Sequence, residues 1–431
     1  MDISRTIREG DMTPFQMMAV AICLTINMVD GFDVLAISFA APEIAREWAL
    51  PPTELGVLFS AGLAGMVLGA LIIGPLADRF GRRNLILICL FVISIGMLSS
   101  ALAQNLAQLV PLRVLTGLGV GGMLASLNTI VAEYSSDRRR QLAISFLQSG
   151  YPVGGIIAGV ASVYLIGNFG WRAVFVFGGT LSAAMIPLVL IGLPESLDYL
   201  LHRRGPGALE QVNKLLARLG HPALERLPDP EEAPAKSAVR QLFSAELRGR
   251  TFSMWISFLA VMCGWYFVIN WTPKILVDAG LSLDGGISGG LLLSLGGVVG
   301  GLSLGFLAGI FRVNRLVALF MFMSVAAMAT FGVLATDLPL MLTVAFLIGF
   351  FLAGSMIGLY AIIPDVYPTR VRSTGTGWAI GIGRLGAVLG PYLAGVLIAA
   401  GWERPLYYLA LSLPLVLAMV IVLRLSTTAR D

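Results

Sequence analysis

Two carboxylates, Asp30 and Asp33, stand three residues apart inside an otherwise apolar stretch, and two other apolar stretches each carry one arginine, Arg113 and Arg384. Where such stretches cross a bilayer, ionisable groups are costly and usually functional, facing a cavity or each other. The i, i+3 spacing projects both carboxylates from one helix face. In a low-dielectric site, desolvation and mutual repulsion favour holding a proton on at least one of two such neighbours. No apolar stretch contains a histidine. The two aspartates are therefore the deep acids suited to carrying a proton, with Asp30 nearer the middle of its stretch. A guanidinium stays charged and presents a planar fork to a carboxylate. Arg384 has no deep carboxylate in its half of the chain, which makes it the expected anchor for an anionic substrate. Arg113 is the better partner for Asp30 or Asp33, and protonation of that carboxylate would release it. The plainer alternatives are a fixed Asp–Arg113 ion pair and an Arg384 that only packs or bonds backbone carbonyls.

The elements that must position these groups follow from composition. The chain has 431 residues, 57% hydrophobic and 13% charged, with a mean hydropathy of +0.85. A soluble domain averages about 25% charged residues, so 29 Lys+Arg and 25 Asp+Glu cannot clothe a soluble surface of this size. The 50 glycines show no collagen-like period and suit close helix packing in lipid. Apolar runs long enough to span cover about 14–41, 54–76, 84–103, 107–132, 141–166 and 170–193, then 252–277, 286–310, 314–335, 337–363, 374–400 and 403–425. A spanning helix needs about 20 such residues. The prediction is an all-α integral membrane protein with twelve spans, divided into a bundle over 1–198, a linker over 199–250 and a bundle over 251–431.

Within the linker, Leu209, Val212, Leu215, Leu216 and Leu219 recur at helical spacing before Gly220. That predicts a short amphipathic helix against the membrane or the bundle. Of the 29 basic residues, only Arg46, Arg172, Lys274 and Arg404 fall on one set of alternate connections, while Arg113 and Arg384 lie within spans. The positive-inside rule then places both termini and the linker in the cytoplasm. Cys23, Cys89 and Cys263 lie in separate apolar runs, and both histidines, His202 and His221, lie in the linker. No metal site, cofactor or nucleic-acid partner is expected. There is no P-loop and no soluble domain able to bind ATP, so enzyme activity is not expected and any transport must be secondary.

The two halves repeat. Gly74-Pro-Leu-Ala-Asp-Arg-Phe-Gly-Arg-Arg83 follows the second span and Gly305-Phe-Leu-Ala-Gly-Ile-Phe-Arg312 follows the eighth. The fourth span ends Glu133-Tyr134 and the tenth ends Asp365-Val-Tyr367. Two pseudo-symmetric six-helix bundles around a midplane cavity are implied. Asp78, Arg79, Arg82 and Arg83, with Glu133, are expected to latch one end of that cavity by pairing with helix ends and loop charges. Asp365, Arg370 and Arg372 read the same way in the second half, more weakly because Gly309 replaces Asp78. The plainer alternative is a set of cations that fix topology.

The loop over residues 74–83, the Arg113-x-x-x-Gly117-x-Gly119-x-Gly121 pattern and the six-loop-six layout resemble the major facilitator superfamily over nearly the whole chain. More narrowly, several motifs resemble the aromatic acid:proton symporters, which carry benzoate, 4-hydroxybenzoate or protocatechuate-type acids. They are Asp30-Gly-Phe-Asp33 with Ala36-Ile-Ser-Phe-Ala-Ala-Pro42, Leu193-Pro-Glu-Ser196, Asn270-Trp271-x-Pro273, and Tyr367 through Gly375 leading to Gly381-Ile-Gly-Arg384. That resemblance implies proton-coupled import of small aromatic carboxylates by a monomer in a bacterial inner membrane. It makes Arg384 the anchor for the substrate carboxylate. It also raises Asn270 and Trp271, which share a face with Phe267, as ring contacts together with Tyr151, Tyr360 and Trp378. Aromatics in spans are also common as packing and interfacial anchors, and for any one of these that remains the plainer explanation. Gly150 to Gly155 and Gly386 to Pro391 are candidates for hinges or close packing. The rivals are a symporter for another organic anion (a dicarboxylate or a sugar acid), a proton-driven exporter, and a ligand sensor on a transporter scaffold.

Overall fold

The computed structural model describes residues 12–203, 207–219, 222–224, 226–227, 238–334 and 337–425. Among the described residues, twelve helices are long and apolar enough to cross a membrane. In the first half they are α1 (Pro14–Trp48), α2 (Pro52–Ile72), α3 (Arg82–Ser100), α4 (Leu106–Glu133), α5 (Arg140–Phe169) and α6 (Arg172–Gly192). In the second they are α7 (Arg248–Asp278), α8 (Leu283–Leu307), α9 (Val313–Val333), α10 (Leu338–Val366), α11 (Thr369–Ala399) and α12 (Arg404–Arg424). α1 starts at a capping box in which Thr13 and Gln16 satisfy each other's backbone and side chain. It runs past the expected end, with Pro42 inside it. One missing donor is tolerated where neighbouring helices shield the backbone. The helix stops only at Ala49, whose φ of 49° is left-handed, just before Pro51.

The halves are built alike. α2 lies against α4 where a Cβ on Gly65 would sit 2.2 Å from Val114 O, and α8 lies against α10 where one on Gly300 would sit 1.9 Å from Phe350 O. In the same way α5 meets α1 at Gly154, and α11 meets α7 at Gly386, where a Cβ would sit 2.1 Å from Leu259 O. Helices in lipid gain attraction by bringing backbones this close. The glycine-rich segments around Tyr151 and Arg384 therefore serve close packing, and both elements are pinned at the bundle centre. Gly386→Leu is expected to force α7 and α11 apart, costing about 1–3 kcal/mol or more as overpacking. Thermal unfolding of the purified protein checks this; an unchanged midpoint would mean the helices do not touch there. The outward faces stay apolar, with Ile191 81%, Phe306 75% and Leu302 72% exposed, a surface suited to lipid rather than water.

The halves touch at the end of the molecule opposite the linker. There Ser60 Oγ donates to Val388 O at 2.7 Å, joining α2 to α11. Ser38 Oγ donates to Asn270 Oδ1 at 2.8 Å, joining α1 to α7. Phe39 packs at Gly290, where α1 meets α8. Toward the linker end of α11, one and two turns from Arg384, Gly381 and Gly377 have no atom within 4 Å of a Cβ position. That flank of α11 is open. The linker helix Ala208–Leu219 buries Val212, Leu215, Leu216 and Leu219 and lays Arg218 over the Phe15 ring of α1 at 5.7 Å. It packs on the bundle end, as its apolar stripe dictates. Gly220, its expected stop, lies outside the described residues.

Candidate substrate and proton sites

α1 carries both aspartates into the interior of the first half, where Asp30 is 0% and Asp33 1% exposed. They point to different neighbours. Asp33 Oδ2 accepts from Ser182 Oγ of α6 at 2.8 Å, while neither oxygen of Asp30 has a hydrogen-bond partner. Buried polar atoms are almost always satisfied, so a bare carboxyl at the bundle centre stands out as a candidate functional group.

Arg113 is also buried, and it departs from expectation. Among the described residues no ion pair within 4 Å joins it to either aspartate. Its guanidinium lies 5.1 Å over the Phe175 ring and Nη2 donates to the Met97 sulfur at 2.9 Å, leaving Nε without a partner. Gly178 explains the geometry: Asp33 leans onto it and toward Ser182, while Arg113 turns to the aromatic face beside it. Asp33, Arg113, Thr116 and Asn270 line one small cavity between the halves, about 20 Å³. That is room for a water and far too little for an aromatic acid.

Arg384 is the central residue of α11 and its Nη1 is buried without a partner. The surrounding groups are tyrosines. Tyr151 of α5 lies within electrostatic reach of Arg384, Tyr266 and Asp30, and its hydroxyl faces that of Tyr266 without completing a hydrogen bond. Tyr360 of α10 lies within the same reach of Arg384 and Tyr266 and rests edge-on against Phe258 at 5.2 Å. Tyr151 and Tyr360 thus each lie within electrostatic reach of Arg384 and of Tyr266, beside the open flank of α11 toward the linker end. Such a set can hold a carboxylate on the guanidinium and offer hydroxyls to a phenol or to the same carboxylate.

The expected aromatic face does not assemble. Phe267 packs on Tyr408 at 5.0 Å within the second half. Trp271 meets Phe59 at 5.3 Å and donates Nε1 to Pro391 O at 3.0 Å, inside the far-end closure. Trp378, 44% exposed, stacks on Trp255 at 5.8 Å. Asn270 is held by Ser38 and by Tyr266 O and reaches only the small cavity. A step of three or four residues along α7 turns 300–400°, so Phe267 and Trp271 flank the inward line rather than lie on it. The residue on that line is Tyr266, one turn before Asn270, which a search for rings at Phe267 spacing passes over.

At the linker end Glu133 of α4 is paired with Arg82 of α3. It also accepts from Ser196 Oγ at 2.9 Å and from Leu197 N at 3.0 Å. Glu195 Oε1 takes the first amides of α3, Arg82 N at 2.8 Å and Arg83 N at 3.0 Å, an anion at a helix N-terminus. Gly81, at φ +93°, holds a backbone conformation that favours glycine, and a Cβ there would also press on Glu195 Oε2 at 2.3 Å. Arg83 donates to Leu190 O at 2.6 Å. This latch ties α3, α4 and the segment after α6 together inside one half. Asp78, Arg79 and Arg372 stand exposed, and the side chains of Asp365 and Arg370 lie outside the described residues. Arg82→Ala is expected to cost about 3–5 kcal/mol by stranding a largely buried carboxylate, with Arg82→Leu/Glu133→Leu recovering part of the loss in thermal unfolding. Equal destabilisation by the single and the double variant would contradict the pairing. No group of three His, Cys, Asp or Glu is placed to hold a metal among the described residues.

A family model for the Major Facilitator Superfamily matches residues 23–339 and 304–431. The chain is 33% identical over 425 residues to a gallate transporter of Pseudomonas putida, covering 98% of this chain and 94% of that one. It is 32% identical over 429 residues to a 4-hydroxybenzoate transporter of Pseudomonas aeruginosa, covering 98% and 95%. The solved xylose transporter of E. coli in a partially occluded inward-open conformation superposes with a TM-score of 0.77 at 16% identity, over 97% of this chain and 100% of that one. The fold is that of a membrane transporter and not of an enzyme, and the chain belongs to the major facilitator superfamily.

Proposed function

We propose that the protein is a proton-coupled importer of small aromatic carboxylates such as hydroxybenzoates. It works as a monomer in a bacterial inner membrane, with both termini and the linker in the cytoplasm. The observation that carries this assignment is the buried, unpartnered Nη1 of Arg384 with Tyr151 and Tyr360, and through them Tyr266, within electrostatic reach. Relatives named for gallate and 4-hydroxybenzoate, matched end to end, support the substrate class. On the proposed topology the open flank of α11 faces the cytoplasm, so the conformation described is inward-facing, and the bundles over 1–198 and 251–431 rock about the central site.

Coupling to a proton follows from the energetics. An anion entering a negative interior works against about 2.3 kcal/mol per 100 mV. A co-transported proton cancels that charge, and each unit of outside acidity adds about 1.4 kcal/mol. Asp30, buried and unpartnered, is the proton site; Asp33 and Arg113 form the electrostatic frame beside it. Competition against bound labelled 4-hydroxybenzoate tests the substrate class. Benzoate and 3,4-dihydroxybenzoate are expected to displace it, and succinate and gluconate to leave it in place. Displacement by the dicarboxylate or sugar acid alone would move the protein to another class of organic anions.

A further inference from the structure

Tyr151 occupies a position that neither the substrate anchor nor the proton site accounts for alone. Its backbone is locked against α1 at the aspartates, since a Cβ on Gly31, next to Asp30, would lie 2.0 Å from Tyr151 O. Its buried hydroxyl faces that of Tyr266 without completing a hydrogen bond, and Asp30 of α1 and Arg384 of α11 both lie within its electrostatic reach. Each of those also carries a buried polar atom without a partner. The other titratable groups at this point are Tyr266 of α7, facing the hydroxyl, and Asp33 and Cys89, which flank Asp30 from α1 and α3. A phenol has one O–H to donate; Asp30 is one acceptor within reach, and a carboxylate held on Arg384 would be a second.

We propose that Tyr151 couples the two sites as a shared donor: an ionised Asp30 draws its O–H, and a protonated Asp30 releases it to the carboxylate held by Arg384. The inference rests on the proposed function and adds a positioning residue to it. Proton and substrate then favour each other, because the substrate gains a hydrogen bond only when Asp30 carries its proton. By linkage, substrate affinity rises as pH falls. Tyr360 contacts the Arg384 environment but not that of Asp30, so its hydroxyl supplies affinity without coupling.

The test is the dissociation constant of labelled 4-hydroxybenzoate on the purified full-length protein at pH 6 and pH 8. Wild-type protein is expected to bind about tenfold or more tightly at pH 6, the worth of one hydrogen bond to a charged group. Tyr151→Phe is expected to lose that advantage, its affinity at pH 6 falling to near the pH 8 value. Tyr360→Phe is expected to weaken binding at both pH values and keep the ratio. A general packing defect in Tyr151→Phe would lower both affinities together and preserve the ratio, which would overturn the inference while leaving the aromatic-acid assignment intact. Should Tyr151→Phe fail to fold, Asp30→Asn serves instead: it fixes the neutral state and is expected to bind tightly at both pH values, and a retained ratio would overturn the inference. No binding by wild-type protein would remove the functional assignment itself, and this inference with it.

Discussion

Arg384→Ala is expected to abolish aromatic-acid binding and uptake. Truncating one side of a desolvated, hydrogen-bonded charge pair costs roughly 2–5 kcal/mol, or about thirtyfold to several thousandfold in affinity. The effect is large because nothing else at the centre of the second half carries a positive charge: Arg404 lies at the far end, bonded to Gly332 O at 3.1 Å. Arg384→Lys keeps the charge but not the planar fork, and is expected to recover only part of the binding. Equilibrium binding on purified protein, with thermal unfolding as the check on folding, measures both. Normal uptake by Arg384→Ala would show that the substrate sits elsewhere.

Asp30→Asn is expected to separate transport from its driving force. The amide is nearly isosteric and permanently neutral, so it imitates the protonated carboxyl. The halves can still rock and exchange labelled for unlabelled substrate, but no proton is carried. Counterflow is expected near the wild-type rate, while accumulation driven by an acidic exterior is expected to fall to the empty-liposome level. Asp33→Asn is expected to differ, since Asp33 is already engaged by Ser182 at 2.8 Å and frames the cavity it shares with Arg113. Its loss is expected to lower counterflow itself. Retained proton-driven accumulation in Asp30→Asn would transfer the proton site to another group.

Much of the architecture was legible because membrane helices announce themselves by length and hydropathy. Twelve apolar runs and the apolar stripe of Ala208–Leu219 each depend on local pattern, and the structure bears them out. The ends were less legible. Pro42 suggests a stop, yet α1 continues because its backbone is shielded by packing that sequence does not display. Within the site, charges were easier to place than rings. Asp30, Asp33, Arg113 and Arg384 stand out in any apolar stretch because the cost of burying them demands a reason. Which acid faces which base is set by helix rotation, and so Arg113 contacts Phe175 and Met97, with Asp33 nearby but not in an ion pair. Trp271 and Phe267 carry good apolar area, but that area is spent on the closure with Pro391 and Phe59 and on the Tyr408 cluster. Tyr266 was missed because a tyrosine beside Trp265 and Phe267 looks like packing until its hydroxyl is seen facing Tyr151. Glu195 and Ser196 belonged to a recognisable motif whose work, capping α3 and bracing Glu133, becomes visible only in three dimensions.

The central claim is proton-driven import of an aromatic carboxylate, and uptake of labelled 4-hydroxybenzoate into proteoliposomes tests it most directly. The exterior is made acidic, a protonophore is added to half the samples, and empty liposomes correct for leakage of the free acid. Accumulation above equilibrium that requires the protein and collapses with the protonophore is the expected result. Protein-dependent uptake that never exceeds equilibrium and ignores the protonophore would contradict the coupling, and no protein-dependent uptake from intact, correctly oriented protein would contradict the substrate.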